Sequence, residues 1–407
     1  MKNSIVFNDP VYGFISVKNS LIIQIIEHPF FQRLRRIRQL GVADLIYQGA
    51  NHTRFQHALG AMHLAGIAMD TLKSKGIEIS EEEYTATKIG VLLHDVGHGP
   101  FSHALEFSLL KDLKHESLSY QFMKYFNELH GGKLDLTLKI FRNSYSKKFL
   151  NQLISSQLDT DRLDYLHRDS FFTGVSEGNI GVQRILQLLN VVDNELVIEE
   201  KAIYNIENFL NARRVMYWQV YLHKTCLSVE KLLVNIIMRA KDLIQAGIEV
   251  PGSSALQYFL KNDFTMDDFN NSSQALNYYG VLDDTDIWGA IKIWSSHQDP
   301  ILKQLCDMMI SRNIFKVTLG NEPIEKSDIN KIKKALSQKY NVPGKHTHYF
   351  MSFGEVSNKG YIANSNKINI LTKKNQVIDV ADFSDLPNIK AISKIVKKYY
   401  LCWPKNI

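Results

Sequence analysis

The sequence predicts a mostly α-helical protein with short β-hairpins, followed by a smaller lobe that mixes helices and strands. Three observations support this fold class. Apolar residues recur at helical spacing over most of residues 20–245. The composition, 45% hydrophobic and 22% charged, is that of a folded globular chain. After residue 250 the periodicity shortens, so we place a first unit at residues 1–250 and an α+β unit at residues 251–407.

The first unit is predicted to begin with a hairpin and to continue through long helices. Residues 5–17 alternate apolar and polar around Asp9 and Pro10, as a strand pair does. A second hairpin is predicted within residues 191–203, where Asp193 and Asn194 supply the turn. Helical spacing predicts helices over residues 21–40, 53–73, 81–93, 114–129 and 204–244.

The second unit is predicted to alternate short helices with short strands. Helical spacing predicts helices over residues 285–294, 300–311 and 326–339. Strand-like stretches occur at residues 315–319, 346–353, 367–371 and 377–380. We therefore expect a small sheet, or several, in this part of the chain.

Composition and charge exclude several classes of protein. No apolar run approaches the roughly 20 residues of a membrane-spanning helix, and the first residues lack a basic patch followed by an apolar stretch. We therefore expect a cytoplasmic protein without a membrane partner. The three cysteines are far apart in the sequence, which predicts reduced thiols. A net charge of +6 suits an anionic ligand but falls short of a nucleic-acid-binding tail.

Four separated residues form a mixed nitrogen and oxygen set: His57, His94, Asp95 and Asp161. Two imidazoles and two carboxylates suit a divalent ion such as manganese, magnesium, iron, cobalt, nickel or zinc. Each lies in a helical pattern, so three helices could aim these side chains at one buried point. Adjacent residues on a helix diverge by about 100°, so His94 and Asp95 reach one ion only beyond the helix end or at a distorted turn.

Arginines close to these positions predict an anionic substrate. Arg54 precedes His57, Arg162 follows Asp161, and Arg213 lies further along the chain. The guanidinium group matches phosphate oxygens, and a divalent ion beside several such groups is typical of phosphoryl transfer. A phosphate ester is therefore the expected substrate. The histidines that could supply a proton to its leaving group are His98, His103 and His115.

Several motifs resemble those of a known family. Over roughly the first 225 residues the chain contains, in order, FNDPVYGFI, PFFQRLRRIRQLG, HTRFQHALGAMHLAG, HDVGHGPFSH, HES, LDTDRLDYLHRD and YLHK. In these motifs it resembles HD-domain phosphohydrolases, specifically the deoxynucleoside triphosphate (dNTP) triphosphohydrolases typified by the sterile-alpha-motif and HD-domain protein. The sterile-alpha-motif domain has no counterpart in it. The resemblance implies cleavage of a dNTP to a deoxynucleoside and inorganic triphosphate.

The resemblance also implies roles for individual residues. The four residues of the mixed set would bind the metal, His115 would be the general acid, and His98 would lie beside the α-phosphate. Glu106 would orient the acid, at a position where the family has an aspartate. Tyr165 would exclude a 2′-hydroxyl, and Asp169 would bind the 3′-hydroxyl. The substrate-binding residues that the resemblance implies are Gln39, Leu40, Arg54, His103, Arg162, Tyr165, Asp169 and Arg213.

Nucleotide activators bind between subunits in this family, which implies a homo-oligomer, either a dimer or a tetramer. Part of the activator pattern is present here. The matching residues are Val6, Asn8, Gln32 and Arg35. Ile5 stands where the family has a phosphate-binding lysine, and Glu27 where it has a guanine-reading aspartate. The resemblance therefore leaves open whether GTP, a dNTP or no nucleotide activates the enzyme.

Two other functions are compatible with these residues. HD domains include nucleases and cyclic-nucleotide phosphodiesterases, which often use two metals and could recruit His98 or His115 as further ligands. Alternatively, the chain could be a non-catalytic nucleotide sensor or a nucleic-acid-binding module that uses the basic stretch at residues 33–38. We rank the sensor last, because all four metal-binding residues and His115 are present.

Overall fold

The computed structural model of the protein describes residues 4–110, 113–358, 367–386 and 396–407. Helices dominate these residues, and their strands form small sheets of two, four and three strands. The predicted fold class, mostly α-helical with short hairpins, is confirmed. The proposed division at residue 250 stays a prediction.

Helices make up most of the first 250 residues. In chain order the elements are β1 (Ile5–Asp9), β2 (Gly13–Val17), α1 (Ser20–Glu27), α2 (Pro29–Gln32), α3 (Arg54–Ser74), α4 (Glu81–Leu93), α5 (Glu106–Leu109), α6 (His115–Leu129), α7 (Asp135–Phe141), α8 (Lys148–Ile154), α9 (Thr160–Thr173), α10 (Val182–Gln187), β3 (Leu189–Val192), β4 (Glu195–Glu199), α11 (Ile203–Met216) and α12 (Lys224–Gln245). Both predicted hairpins are present as β1–β2 and β3–β4.

The remaining residues mix short helices with strands, as predicted. The elements are α13 (Ser254–Lys261), α14 (Met266–Asn271), α15 (Ser273–Tyr279), α16 (Asp284–Trp294), α17 (Pro300–Ile310), β5 (Lys316–Gly320), α18 (Lys326–Tyr340), β6 (Ser352–Asn358), β7 (Asn369–Leu371), β8 (Val377–Asp379), α19 (Val380–Phe383) and β9 (Val396–Trp403). Strand β7 pairs in parallel with β4, so β7 and β8 join the sheet begun by the second hairpin.

Two predicted long helices are each interrupted. The helix predicted over residues 21–40 breaks at His28, because Pro29 forces the preceding residue into an extended conformation. After α2 the chain continues as a 3₁₀ turn, Arg33–Arg36. The helix predicted over residues 204–244 is interrupted by a π turn, Tyr217–Tyr221, which separates α11 from α12. Single π turns of this kind frequently occur at functional sites.

The strand predicted over residues 346–353 is wrong for most of its length. Residues Gly344–Phe350 form a 3₁₀ turn, and β6 begins only at Ser352. The Thr347 hydroxyl donates a hydrogen bond of 2.8 Å to the carbonyl of Gly344, which closes this turn. Strand β9, which lies between β5 and β6, was not predicted, because its apolar residues run continuously instead of alternating.

A continuous hydrophobic core connects both predicted units. Phe31, Phe122 and Phe209 from the first unit and Phe259 and Trp294 from the second belong to the same cluster and are almost fully buried. Within the first unit α3 packs against both α4 and α9. These three helices carry the four predicted metal-binding residues at or just beyond their ends.

Candidate active site

Three helices bring His57, His94 and Asp161 together. His57 lies in the first turn of α3, Asp161 in the first turn of α9, and His94 directly follows α4. Asp161 Oδ1 lies 3.1 Å from His57 Nε2 and 3.3 Å from His94 Nε2. His57 is completely buried. The three side chains therefore converge on one enclosed point.

Asp95 completes this group because helix α4 ends one residue before His94. Its Oδ1 atom lies 3.5 Å from His94 Nε2, and its Oδ2 atom lies 3.6 Å from His57 Nε2. Beyond the helix end the two adjacent side chains no longer have to diverge, which is the arrangement that the His-Asp pair requires to share one ion. All four residues predicted as metal ligands are thus brought together.

The arrangement of ring nitrogens fits a divalent ion. The Nδ1 atoms are engaged, at 2.7 Å from Asp164 Oδ2 for His57 and at 2.5 Å from the Val91 carbonyl for His94. The Nε2 atoms are buried and have no hydrogen-bond partner of good geometry among the described residues. Two imidazole nitrogens turned toward two carboxylates form a donor set typical of a divalent transition metal.

The electrostatics of the site also favour a bound cation. Burial alone disfavours protonation of His57, but the carboxylates of Asp161 and Asp164 outweigh it and raise the pKa to about 10. Burial likewise opposes protonation of His94, yet Asp95 and Asp161 raise its pKa to about 9. Both imidazoles would thus hold a proton at neutral pH if no other cation were present. A divalent ion would satisfy the same excess of negative charge.

His98 and His115 lie on one side of this group. Their rings stack with centroids 3.8 Å apart, and His98 Nδ1 lies 3.4 Å from Asp95 Oδ1. Burial, reinforced by the positive charge of Arg54, lowers the pKa of His98 well below its usual value. His98 is therefore neutral at pH 7. Asp95, His98 and His115 also form a second group whose donor atoms lie within 4.8 Å of one another.

Gly97 allows His115 to approach the site. A β-carbon at this position would lie 2.3 Å from the carbonyl oxygen of His115 and 2.3 Å from the amide nitrogen of Ser119. Because the family resemblance implies that His115 is the general acid, we expect Gly97→Ala, which displaces the start of α6, to lower kcat by about 10²-fold. Bound metal should be unchanged when measured by elemental analysis.

Gly289→Ala is the matched control for this substitution. Gly289 lies inside α16, where an added β-carbon meets no atom within 4 Å. Alanine there should leave kcat unchanged. Equal kcat for wild type and Gly97→Ala would show that the contact between Gly97 and α6 does not position His115.

Arg54 and Arg162 lie next to residues of the candidate metal site, and Arg213 lies near Tyr165. Arg54 is buried, donates a hydrogen bond of 2.8 Å from Nε to Ser102 Oγ, and pairs with Asp95. Arg162 pairs with Asp159, but its Nε atom has no partner among the described residues. Arg213 is 6% exposed, and its Nε and Nη1 atoms likewise lack partners there. Buried donors without acceptors are costly, so these atoms are suited to donate hydrogen bonds to a ligand that supplies oxygen acceptors.

Tyr165 lies next to these guanidinium groups. Burial and Tyr217 raise the pKa of the Tyr165 hydroxyl, while the positive charges of Arg213 and Arg162 act in the opposite direction. Its ring packs edge-to-face on Tyr221, with centroids 6.0 Å apart. Tyr165 therefore forms part of the wall between the arginines and the aromatic residues of the π turn.

Asp169 is held by two residues that sequence reasoning missed. His52 Nε2 lies 2.7 Å from Asp169 Oδ1, and the Tyr221 hydroxyl donates a hydrogen bond of 2.8 Å to Oδ2. His52 begins the HTRFQH motif and Tyr221 begins YLHK, so both residues stood in motifs of the family but were themselves given no role. The two contacts fix the orientation of the Asp169 carboxylate.

Gln39 and Leu40 lie beside His52. The Gln39 amide donates a hydrogen bond of 3.0 Å to the His52 carbonyl, next to an isolated antiparallel bridge between Arg38 and Thr53. Gln39 Oε1 is buried without a partner among the described residues. The side chains of His103 and Glu106, predicted for phosphate binding and for orienting the acid, lie outside the part of the structure that is described.

A segment after residue 278 holds the loop that carries His98. The Tyr279 hydroxyl donates a hydrogen bond of 2.9 Å to the Gly97 carbonyl. Asp284 accepts hydrogen bonds from the backbone amides of Phe101, at 2.7 Å, and Arg38, at 2.9 Å. Residues outside the motif region therefore shape this side of the site.

The chain matches two known sequence families. The HD domain matches residues 54–169, and the HD-associated region matches residues 180–249. A solved phosphohydrolase from Bacteroides thetaiotaomicron is 46% identical, with a TM-score of 0.95, and the similarity covers 99% of this chain and 100% of that one. The chain belongs to the HD-domain phosphohydrolase family. The family resemblance predicted from the motifs is confirmed.

This HD phosphohydrolase also has curated relatives. The uncharacterized protein YwfO of Bacillus subtilis is 33% identical, over 79% of this chain and 73% of its own length. The deoxynucleoside triphosphate triphosphohydrolase SAMHD1 of Homo sapiens is 27% identical, over 82% of this chain and 58% of its own length. The Dictyostelium discoideum SAMHD1 homolog is 30% identical, over 60% and 51%. The HD phosphohydrolase thus spans about half the length of these two triphosphohydrolases.

Two of the four residues predicted for activator binding, Gln32 and Arg35, contact each other, whereas Val6 and Asn8 are exposed on strand β1. Arg35 Nε donates a hydrogen bond of 2.8 Å to Gln32 Oε1, and the Arg35 guanidinium lies 3.6 Å from the centroid of the Phe55 ring. Phe55 in turn packs against Phe7 of β1, which stands between Val6 and Asn8.

Among the described residues, no helix combines the length and apolar character needed to cross a membrane.

Proposed function

We propose that this HD phosphohydrolase is a divalent-metal-dependent dNTP triphosphohydrolase that releases a deoxynucleoside and inorganic triphosphate. One observation carries the proposal: Nε of Arg162 and both Nε and Nη1 of Arg213 are buried without acceptors among the described residues, and Arg162 lies next to Asp161 of the candidate metal site. A polyphosphate fits such a site because it presents several anionic oxygens to several guanidinium groups. The named activity of the SAMHD1 relatives agrees with this substrate.

The chemistry can be assigned to residues of the chain. His57, His94, Asp95 and Asp161 would hold a divalent ion, which acts as a Lewis acid on phosphoryl oxygens and acidifies water. As the oxygen of water forms a bond to the α-phosphorus and the water releases a proton to solvent, the bond to the 5′-oxygen breaks. His115 donates a proton to this leaving oxygen. His98 lies beside the α-phosphate. The phosphate charge is neutralised by Arg54, Arg162 and Arg213, with His103 as a further phosphate ligand.

The sugar is proposed to lie against Tyr165. Its ring leaves no room for a 2′-hydroxyl, while the Asp169 carboxylate, fixed by His52 and Tyr221, binds the 3′-hydroxyl. Gln39 and Leu40 face the sugar and the base. Glu106 is proposed to orient the general acid. We also propose a cytoplasmic homo-oligomer whose nucleotide activator contacts Val6, Asn8, Gln32 and Arg35.

Product analysis tests this function directly. The purified protein, with Mn²⁺ or Mg²⁺, is incubated with each dNTP alone and with all four plus GTP, and the products are separated by ion-exchange chromatography. We expect deoxynucleoside and intact inorganic triphosphate in equal amounts. Turnover only in mixtures would indicate an activator. Release of pyrophosphate or single phosphates, or no turnover at all, would contradict the proposal, and no turnover together with tight nucleotide binding would favour the sensor.

Arg213→Gln tests the proposed phosphate site. We expect kcat/KM for dNTP to fall by about 10²-fold, because a charge-assisted contact to phosphate is lost from a desolvated site. The control is Arg214→Gln, which removes the same group from the next position of α11, where the side chain is less buried. Equal losses in both variants would show that general positive charge, and not this site, determines substrate affinity.

A second function is supported by the group formed by Asp95, His98 and His115, whose donor atoms lie within 4.8 Å of one another. If this group holds a second ion that shares Asp95 with the first, the arrangement is that of a two-metal HD nuclease or phosphodiesterase. Elemental analysis of the purified protein separates the two functions. One metal per chain fits the triphosphohydrolase, whereas two metals with cleavage of cyclic or single-stranded substrates would favour the phosphodiesterase.

A further inference from the structure

A chain of buried charges connects the first hairpin to His57. Asp164 Oδ2 lies 2.7 Å from His57 Nδ1, and both Asp164 oxygens accept hydrogen bonds of 2.9 Å from Arg168. Arg168 Nη1 in turn donates a hydrogen bond of 2.8 Å to Asp9 Oδ2. Asp164 and Arg168 are 0% exposed and Asp9 is 6% exposed. The hairpin and the candidate metal centre are therefore joined by direct polar contacts.

Asp9 performs two tasks with its two oxygens. Oδ1 accepts hydrogen bonds from the amides of Val11, at 2.9 Å, and Tyr12, at 3.0 Å, and so shapes the turn between β1 and β2. Oδ2 is left to bind Arg168. The Arg168 guanidinium also lies 5.5 Å from the centroid of the Tyr12 ring. The conformation of this turn consequently fixes the position of Arg168.

Gly60 leaves space for the Asp164–Arg168 pair. It lies three residues after His57 on α3, and a β-carbon there would be 2.1 Å from Asp164 Oδ1 and 2.2 Å from Arg168 Nη2. Fully buried ion pairs often contribute little net stability, because removing the charges from water offsets their attraction. A contact to a metal-binding imidazole gives this pair a different use, because such contacts fix the ring orientation.

We propose that Asp164, Arg168 and Asp9 are positioning residues that direct His57 Nε2 toward the metal, so that the first hairpin controls the metal affinity of the site. The proposal rests on the metal centre of the proposed function. Asp164 keeps the Nδ1 proton of His57 in place and leaves Nε2 as the free donor atom. Arg168 holds Asp164, and the turn holds Arg168. None of the three would touch the metal or the substrate.

Asp9→Asn tests this proposal at the positioning residue that lies farthest from the metal. Asparagine keeps an oxygen for the Val11 and Tyr12 amides but replaces the Arg168 acceptor with an amide. Mn²⁺ affinity of the metal-free protein is measured by competition with a chelating dye. We expect Mn²⁺ to bind about 10-fold more weakly, at the lower end of the effect of altering a residue that supports a metal ligand. Asp164→Asn should weaken binding by about 10- to 100-fold.

The matched control is Asp299→Asn. Asp299 also combines a backbone contact with an arginine pair, because it accepts from the Leu302 amide at 2.8 Å and from Arg239 Nε at 3.0 Å, but it belongs to the α17 cap. Its replacement should leave Mn²⁺ affinity unchanged. Gly60→Ala is a second test that removes no charge, and it should weaken Mn²⁺ binding as well. Circular dichroism of each metal-free variant establishes that it is folded before affinities are compared.

The outcomes separate this proposal from the proposed function. Wild-type affinity in Asp9→Asn and Gly60→Ala, with Mn²⁺ bound tightly by all proteins, would overturn the positioning role and leave the metal centre intact. Equally weakened Mn²⁺ binding in Asp299→Asn would also overturn it, because the loss of any buried ion pair would then be enough to lower Mn²⁺ affinity. Failure of the wild-type protein to bind Mn²⁺ would overturn both. Weaker Mn²⁺ binding in Asp9→Asn and Gly60→Ala, but not in Asp299→Asn, would support the positioning role.

Discussion

Asp161→Asn is expected to abolish dNTP hydrolysis and metal retention together. Asp161 Oδ1 lies within 3.3 Å of the Nε2 atoms of both His57 and His94, so this carboxylate contributes to the centre of the candidate metal site. Loss of one charged ligand should remove several kcal/mol of transition-state stabilisation. We expect kcat to fall by about 10³-fold or more. The measurements are steady-state kinetics and elemental analysis after gel filtration.

Asp70→Asn is the control for this variant. Asp70 lies on the exposed face of α3, where it accepts a hydrogen bond of 3.3 Å from Tyr84. Its neutralisation changes the net charge equally but should leave kcat and bound metal unchanged. Full activity in Asp161→Asn would show that the four-residue group is not the metal centre of the reaction. Loss of activity with full metal retention would instead place Asp161 in contact with the substrate.

Of the substitutions considered, Arg33→Met is expected to lower the free energy of unfolding the most. Arg33 is completely buried and donates hydrogen bonds to the carbonyls of Leu282 at 2.9 Å, Val96 at 2.8 Å and His98 at 3.0 Å. Methionine fills much of the same space but leaves these three carbonyls without that donor. Each buried unpaired group costs about 1–3 kcal/mol, so the free energy of unfolding should fall by about 3 kcal/mol or more. Urea denaturation measures the change.

Arg36→Met provides the comparison within the same 3₁₀ turn. Arg36 pairs with Asp283 at 2.5 Å, but its side chain is 48% exposed. Such pairs contribute about 0–1 kcal/mol, so this variant should be nearly as stable as the wild type.

Because Arg33 also holds the His98 carbonyl, Arg33→Met should lower kcat at temperatures where it remains folded. Equal stability of the two variants would show that the buried contacts of Arg33 contribute no more than a surface pair.

Much of the fold could be predicted from local patterns. Helices α3, α4 and α6 agree with prediction to within one residue, because amphipathic spacing and caps are properties of neighbouring residues. The break at Pro29 was also encoded locally, although the apolar spacing on either side obscured it. The π turn was not predicted from the apolar spacing; its residue Tyr221 contacts Asp169, 52 residues earlier in the sequence.

The candidate site was predictable for those residues whose type alone indicates their role, such as metal-binding histidines and aspartates. Two histidines and two aspartates indicate a metal group on their own, and the structure brings them together. The supporting residues could not be predicted, because their roles depend on distant partners. Asp164 and Arg168 stand in the same motif as Asp161, yet nothing in that motif indicates that Asp9 is their partner. His52 likewise acquires a role only through its contact with Asp169.

The contacts from Tyr279 and Asp284 to the His98 loop have a consequence for biosynthesis. The HD-associated region ends at residue 249, but this loop finds partners thirty or more residues later. Contacts between residues so distant in sequence form late in folding. While the ribosome is still translating the region after residue 250, the nascent chain already contains all four candidate metal-binding residues but lacks Tyr279 and Asp284, which contact the loop. Catalytic competence should therefore arise only after translation has passed the start of α16.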